Sequence, residues 1–155
     1  MTNKPSYIPA GYHAITAYLI VKGAAKAIDY YVNAFGAKEL MRFEDRGRIS
    51  HAELQIDDSH IMLADEHPEM NIRGPQSLGG SSVGILLYVK DVDHVFRRAV
   101  IAGGTVEREV KDQFYGDRSG NLVDPFGHKW TIATHVEEVS PEEMKRRAES
   151  AMQST

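Results

Sequence analysis

The 155-residue chain contains no cysteine, which excludes a disulfide framework, a thiolate nucleophile, a CxxC redox centre and sulfur-ligated zinc or iron. It also lacks a long hydrophobic run. The longest strongly apolar stretch, around Val83 to Val89, is far too short to span a bilayer, and the opening MTNKPSYIP has no apolar signal segment. Cationic clusters are missing apart from Lys145, Arg146 and Arg147, and 18 basic against 22 acidic residues leave a formal charge of -4. Neither nucleic acid nor a membrane is expected as a partner. What remains, with 42% hydrophobic and 26% charged residues, is the composition of one ordinary globular domain with one core, expected in the cytoplasm. Any chemistry has to come from side chains other than cysteine.

Sliding the sequence against itself reveals an internal repeat at an offset of 68, with Leu19/Leu87, Val21/Val89, Lys22/Lys90, Val32/Val100, Ala34/Ala102, Gly36/Gly104, Glu39/Glu107, Leu54/Leu122, His60/His128 and His67/His135 identical. Periodicity supports it. YLIV is followed by AAKAIDYYVNAF, whose Ala24, Ala27, Ile28, Tyr31 and Phe35 recur at helical spacing before Gly36 stops the helix. GILLYV is followed by DVDHVFRRAVIAGG, with Asp91 as N-cap and a stripe of Val92, Val95, Phe96, Ala99 and Val100. Three strand-like runs follow each helix: KELMRFED, ISHAELQI and HIMLAD, then TVEREVKD, NLVD and HKWTIATHV, with turns at Asp57-Asp58-Ser59 and Asp124-Pro125-Phe126-Gly127. The expected fold class is α+β: two tandem βαβββ modules, one over about residues 14–66 and one over 83–136. Residues 67–82 carry the Gly/Pro composition of a mobile linker or lid. A terminal helix is expected over 140–151, with Ser140 as cap and Pro141 at its first position.

Two βαβββ modules, the AIDYYVNAFG helix and the phrases HAELQI, DSHIMLADE and YGDRSGNLVDPFGHKWTIATH together resemble the vicinal oxygen chelate superfamily. That group holds the glyoxalase, bleomycin-resistance and dioxygenase proteins, and the likeness is to its PhnB-like branch, over about residues 12–138. The resemblance implies a curved mixed sheet around a cleft, a homodimer, and a small-molecule partner. In metal-dependent members a His or Glu-type ligand sits in the first and last strand of each module. Here those positions fall on Thr16, Leu63, Gly84 and Thr131, which are poor donors or none, so no metal or other cofactor is expected.

Alternation puts Ala17, Leu19 and Val21 against the helix and Thr16, Tyr18 and Ile20 toward the cleft. It likewise sets Ala52, Leu54 and Ile56 opposite His51, Glu53 and Gln55. His51 and Glu53 are the candidate catalytic pair, as two ligands or as a base with its orienting carboxylate; a plain polar strand face is the other reading. Asp65 and His135 are the donors that would complete a different divalent-metal site around that pair. Tyr115 matches an aromatic that helps form the ligand cleft in bleomycin-binding relatives. Asp117 and Arg118 either supply charged recognition or form a local ion pair. The expected ligand-binding set is Thr16, Tyr18, Tyr88, Tyr115, Asp117, Arg118 and Thr131, holding an apolar or aromatic molecule. The alternative is a metal-dependent lyase, isomerase or dioxygenase around His51 and Glu53. His128 reads as a structural turn histidine, and His13 and His94 as bystanders.

Overall fold

In this computed structural model residues 3–154 are described. The chain forms two compact units, one through Gly80 and one from Ser81. In the first, β1 (Ala17–Val21), α1 (Ala24–Phe35), β2 (Lys38–Asp45), β3 (Arg48–Ile56) and β4 (Ser59–Asp65) give a sheet ordered β1-β4-β3-β2. A short helix α2 (Pro75–Leu78) precedes the second unit. There β5 (Gly84–Tyr88), α3 (Val92–Ile101), β6 (Thr105–Asp112), β7 (Asp117–Val123) and β8 (Lys129–His135) repeat the order as β5-β8-β7-β6, and α4 (Pro141–Met152) follows. β1 runs parallel to β4 and β5 to β8, while the other pairs are antiparallel.

Helices α1 and α3 exist because their apolar stripes find a sheet to cover. Ala24, Ala27, Ile28, Tyr31 and Ala34 of α1 are buried, as are Val92, Phe96 and Ala99 of α3. Beneath them lie the inward residues of the strands, among them Leu19, Val21, Leu54, Leu63, Leu122, Trp130 and Ile132. Ala17, expected against the helix, is exposed at the first position of β1. α1 has glycine at its N-cap and so cannot cap itself; Asp65, at the end of β4, does it instead, accepting from the amides of Gly23 at 3.0 Å and Ala24 at 2.7 Å. α4 begins as expected, Ser140 accepting from Glu143 N at 3.2 Å.

Three sequence expectations are corrected. The NLVD run is the end of a longer strand, β7, and Asp124 leaves it to organise the turn. Gly120 hides this strand from an apolar pattern: a Cβ there would stand 2.8 Å from the Phe96 ring, so its bareness lets α3 approach. The 67–82 segment is not a bare linker. Pro68–Met70 form a 3-10 turn, His67 and Ile72 exchange backbone hydrogen bonds, and Gly74 N donates to Glu66 Oε1 at 2.7 Å. Finally, the repeat slips by one residue at its last strand. Leu19 lies opposite Leu63 but Leu87 opposite Ile132, so Leu63 corresponds to Ile132 and not to Thr131. The slip makes Thr134 the counterpart of Asp65, and Thr134 Oγ1 does accept from Val92 N, at the start of α3, at 3.0 Å.

Candidate functional site

On the face of the first sheet away from α1, His51 and Glu53 stand two residues apart on β3, as alternation requires. They touch: His51 Nε2 is 3.1 Å from Glu53 Oε1. Tyr12 donates to the other carboxylate oxygen, and Tyr18 Oη lies 2.8 Å from His51 Nδ1. Tyr12 also stacks on His60, with ring centroids 4.3 Å apart. Its hydroxyl pKa is pushed up to about 12, first by burial and then by its bond to Glu53. The Tyr12 and His51 hydrogen bonds in turn hold the Glu53 carboxyl below its ordinary value. Tyr12 was missed by periodicity because it lies ahead of every regular element. The turn signal Pro9-Ala10-Gly11, closed by Tyr12 N to Pro9 O at 3.1 Å, is what could have drawn attention to it.

Beside this network the first unit carries a pocket of about 600 Å³. Tyr18, Ile20, Ile49, Ala64, Met70 and Ile72 give it apolar walls, while Arg46, Arg48, His67 and Glu69 stand among its polar residues. Arg48 meets Glu69 only at 3.5 Å, with both side chains substantially exposed, so it remains free to turn toward another anion. Ile49, Met70 and Ile72 belong to no earlier expectation.

The second unit places Tyr88, Asp117 and His135 together. Asp117, 5% exposed, accepts from Tyr88 Oη at 2.8 Å on one oxygen and meets His135 Nδ1 at 2.8 Å on the other. Tyr88 and Asp117 occupy the repeat positions of Ile20 and Ile49, so a polar network stands where the first unit has pocket wall. Donation to Asp117, then burial, raises the Tyr88 pKa. Arg118 turns to the other side of β7 and forks onto Asp93 at 2.8 and 2.9 Å, with Asp112 at 3.2 Å. The local Asp117–Arg118 ion pair is therefore replaced by these pairs. Tyr115 and Phe114 are half-exposed and meet edge to face at 5.2 Å. Thr131 accepts from Asn121 Nδ2 at 2.6 Å, and Thr16 is half-buried just before β1.

His135 is the titratable reporter of this unit. Its pairing with Asp117, and then with Glu138, raises its pKa above the ordinary 6.5. A group whose folded value is raised adds stability that is complete below 6.5 and disappears as pH climbs through the folded value. The wild-type protein should accordingly lose melting temperature relative to His135→Gln as pH rises from about 5.5 to about 8.5. A difference that grows in the opposite direction would remove the Asp117–His135 pair as its cause.

The residues present do not suit the metal that the fold family implies. Leu63 is fully buried on the helix side of β4 and, like Gly84, has no donor atom; Thr131 is held by Asn121. Asp65 cannot join His51 and Glu53, because its two oxygens take the amides of Gly23, Ala24 and Ile49. Among the described residues no three His, Asp or Glu side chains converge as a metal site needs.

The model of the Glyoxalase/Bleomycin resistance protein/Dioxygenase superfamily matches residues 12–132. The chain belongs to this superfamily. It is 45% identical over 136 residues to protein Rv0887c of Mycobacterium tuberculosis, covering 85% of this chain and 80% of that one. Among solved structures it is similar to TioX from Micromonospora sp. ML1, at 25% identity and a TM-score of 0.64, covering 80% of this chain and 99% of TioX. The PhnB protein from Bacillus cereus, at 18% identity and a TM-score of 0.60 over 79% of this chain and 99% of that one, shares the fold. Among the described residues no helix of this superfamily member is long and apolar enough to cross a membrane.

Proposed function

We propose that this superfamily member binds a small apolar or aromatic molecule in the pocket of its first unit, against Tyr18, Ile20 and Ile49, using no metal. The pocket carries the reading: its volume of about 600 Å³ lies inside the roughly 300–1,000 Å³ range of small-molecule sites. Its lining sets an apolar wall beside Arg46, Arg48 and His67, with the carboxylates of Asp45, Asp65 and Glu69 among them. Glu53 and Asp117 are each engaged by a tyrosine and a histidine, and Arg118 by two aspartates. Orientation therefore falls to Arg46 and Arg48, which suit a ligand bearing an acidic group.

The second unit supplies the test. Ile20→Tyr installs the residue found at the equivalent position, Tyr88, and should fill the pocket. In methyl NMR, a set of small aromatic and aliphatic carboxylic acids should contain members that shift the Ile49 and Ile72 methyls. Ile20→Tyr should weaken those members at least about tenfold, the equivalent of about 1.4 kcal/mol. If no acid moves those methyls, or if binding survives the substitution, the pocket is not the site.

A further inference from the structure

Residues 3–16 reach the first sheet as an arm with a single attachment. Tyr7 and Ile15 are 94% and 92% exposed, and most of the other side chains ahead of Thr16 stand in solvent. The arm's backbone bonds only within itself: Ile8 N donates to Ser6 Oγ at 3.3 Å and Tyr12 N to Pro9 O at 3.1 Å. Among the described residues, the Tyr12 hydroxyl on Glu53 is the one hydrogen bond from the arm to the rest of the chain, and the Tyr12–His60 stack is its one ring contact. A segment with so few ties belongs to the low-stability end of a fold, where local opening costs far less than global unfolding.

What Tyr12 covers is polar. Glu53 gives one oxygen to Tyr12 and the other to His51 Nε2, so both are engaged while the arm is down. His60 lies under the Tyr12 ring with 27° between the planes. Gly11, at φ 84°, turns the chain over its edge, where a Cβ would stand 3.1 Å from His60 Cε1. In this state His60 Nδ1 is buried without a hydrogen-bond partner. A polar atom kept from water and from any partner is costly, so the latched state carries its own reason to open.

We propose that residues 3–16 are a gate that autoinhibits the His51–Glu53 face of the first sheet, with Tyr12 as its latch. Shut, the gate occupies Glu53 and roofs His60. Open, it leaves a Glu53 oxygen free and His60 uncovered for a hydrogen-bonding partner. An open state populated at about 0.1–10% is the range in which a partner's binding shifts such an equilibrium. The gate goes beyond the pocket reading and stands without it, since Tyr12 is not among the residues lining the pocket.

Chymotrypsin reads the latch with no ligand present. The bond after residue 12 is open to cleavage only when the arm leaves the sheet, so in the wild type it should be cut at least about tenfold more slowly than in a synthetic peptide of residues 3–16. Tyr12→Phe keeps the ring, the stack and the cleavage site but loses the hydroxyl. Measured against its own peptide, it should be cut at that bond at least about tenfold faster than wild type, as loss of a hydrogen bond to a charged group implies. Diethyl pyrocarbonate reads the roof: His60 of the wild type should react at least about tenfold more slowly than the exposed His94. Tyr12→Ala should remove most of that difference. Cleavage after residue 12 that is no faster in Tyr12→Phe than in wild type overturns the latch. His60 reacting as slowly in Tyr12→Ala as in wild type overturns the roof. A gain in cleavage shared by sites within β3, with a lowered melting temperature, marks general loosening and overturns the gate as well. Ligand-induced shifts at Ile49 and Ile72 report separately on the pocket.

Discussion

Asp124→Ala is expected to cost about 4 kcal/mol of stability, which at this chain length lowers the melting temperature by roughly 8–16 °C. The carboxylate is 3% exposed and gathers three donors. Oδ1 accepts from Phe126 N at 2.9 Å and His128 N at 3.0 Å, and Oδ2 from the indole Nε1 of Trp130 at 2.9 Å. Alanine removes the acceptor of all three at once, and losing the partner of a buried polar group costs about 1–3 kcal/mol. The turn amides can recover part of this by reaching water, whereas Trp130, 2% exposed, cannot. Asp124→Asn retains an oxygen for the turn but sets a donor against a donor at the indole, so it should lose about half as much. The chain has one tryptophan, and its fluorescence during urea unfolding reports on this contact directly. A loss below about 1 kcal/mol for alanine would mean that the turn holds without its carboxylate.

That turn also shows how far the sequence could be read. Helices, hairpins and strand faces were legible because their signals are local: Gly36, Asp91, and the alternation of His51 and Glu53 with Ala52 and Leu54. The slip at the last strand was not. His60/His128 and His67/His135 are identical at the 68-residue step, yet strand pairing sets Ile61 opposite Leu54 and Trp130 opposite Leu122, one residue later in the second unit. The residue gained lies in the turn around Asp124. True equivalence survives in role and not in identity, as Asp65 and Thr134 show by serving the same helix start with different side chains. At the candidate site, periodicity could say that Tyr18, His51 and Glu53 share a face. It could not say which of them bond, nor that Tyr12 and the 67–72 loop close around them, because those segments have no period.

Gly116→Ala should be nearly as damaging, at about 3–4 kcal/mol, and its cause can be separated into two parts. The residue has φ 100°, a left-handed conformation that costs an L-residue about 1–2 kcal/mol. A Cβ there would also lie 2.3 Å from the carbonyl oxygen of Glu137 and 3.0 Å from Val139 Cγ2. The backbone cannot back away cheaply, because Gly116 O accepts from Val136 N at 2.9 Å and Glu137 N at 3.0 Å. Each of those bonds is worth about 1 kcal/mol. Gly36→Ala is the control: φ is 68°, but nothing lies within 4 Å of its added Cβ, so it should show the conformational cost alone. The excess for Gly116 then measures the close approach, and equal losses at the two sites would show that the approach carries no energy. Hydrogen exchange locates the excess. The Val136 and Glu137 amides should lose protection in Gly116→Ala and keep it in Gly36→Ala, because only the former displaces the strand exit they bond to. Asp117 follows Gly116 and holds Tyr88 and His135, so the same shift should also lower the raised His135 pKa. The glycine thus keeps the charged network of the second unit in place by allowing two backbones to meet.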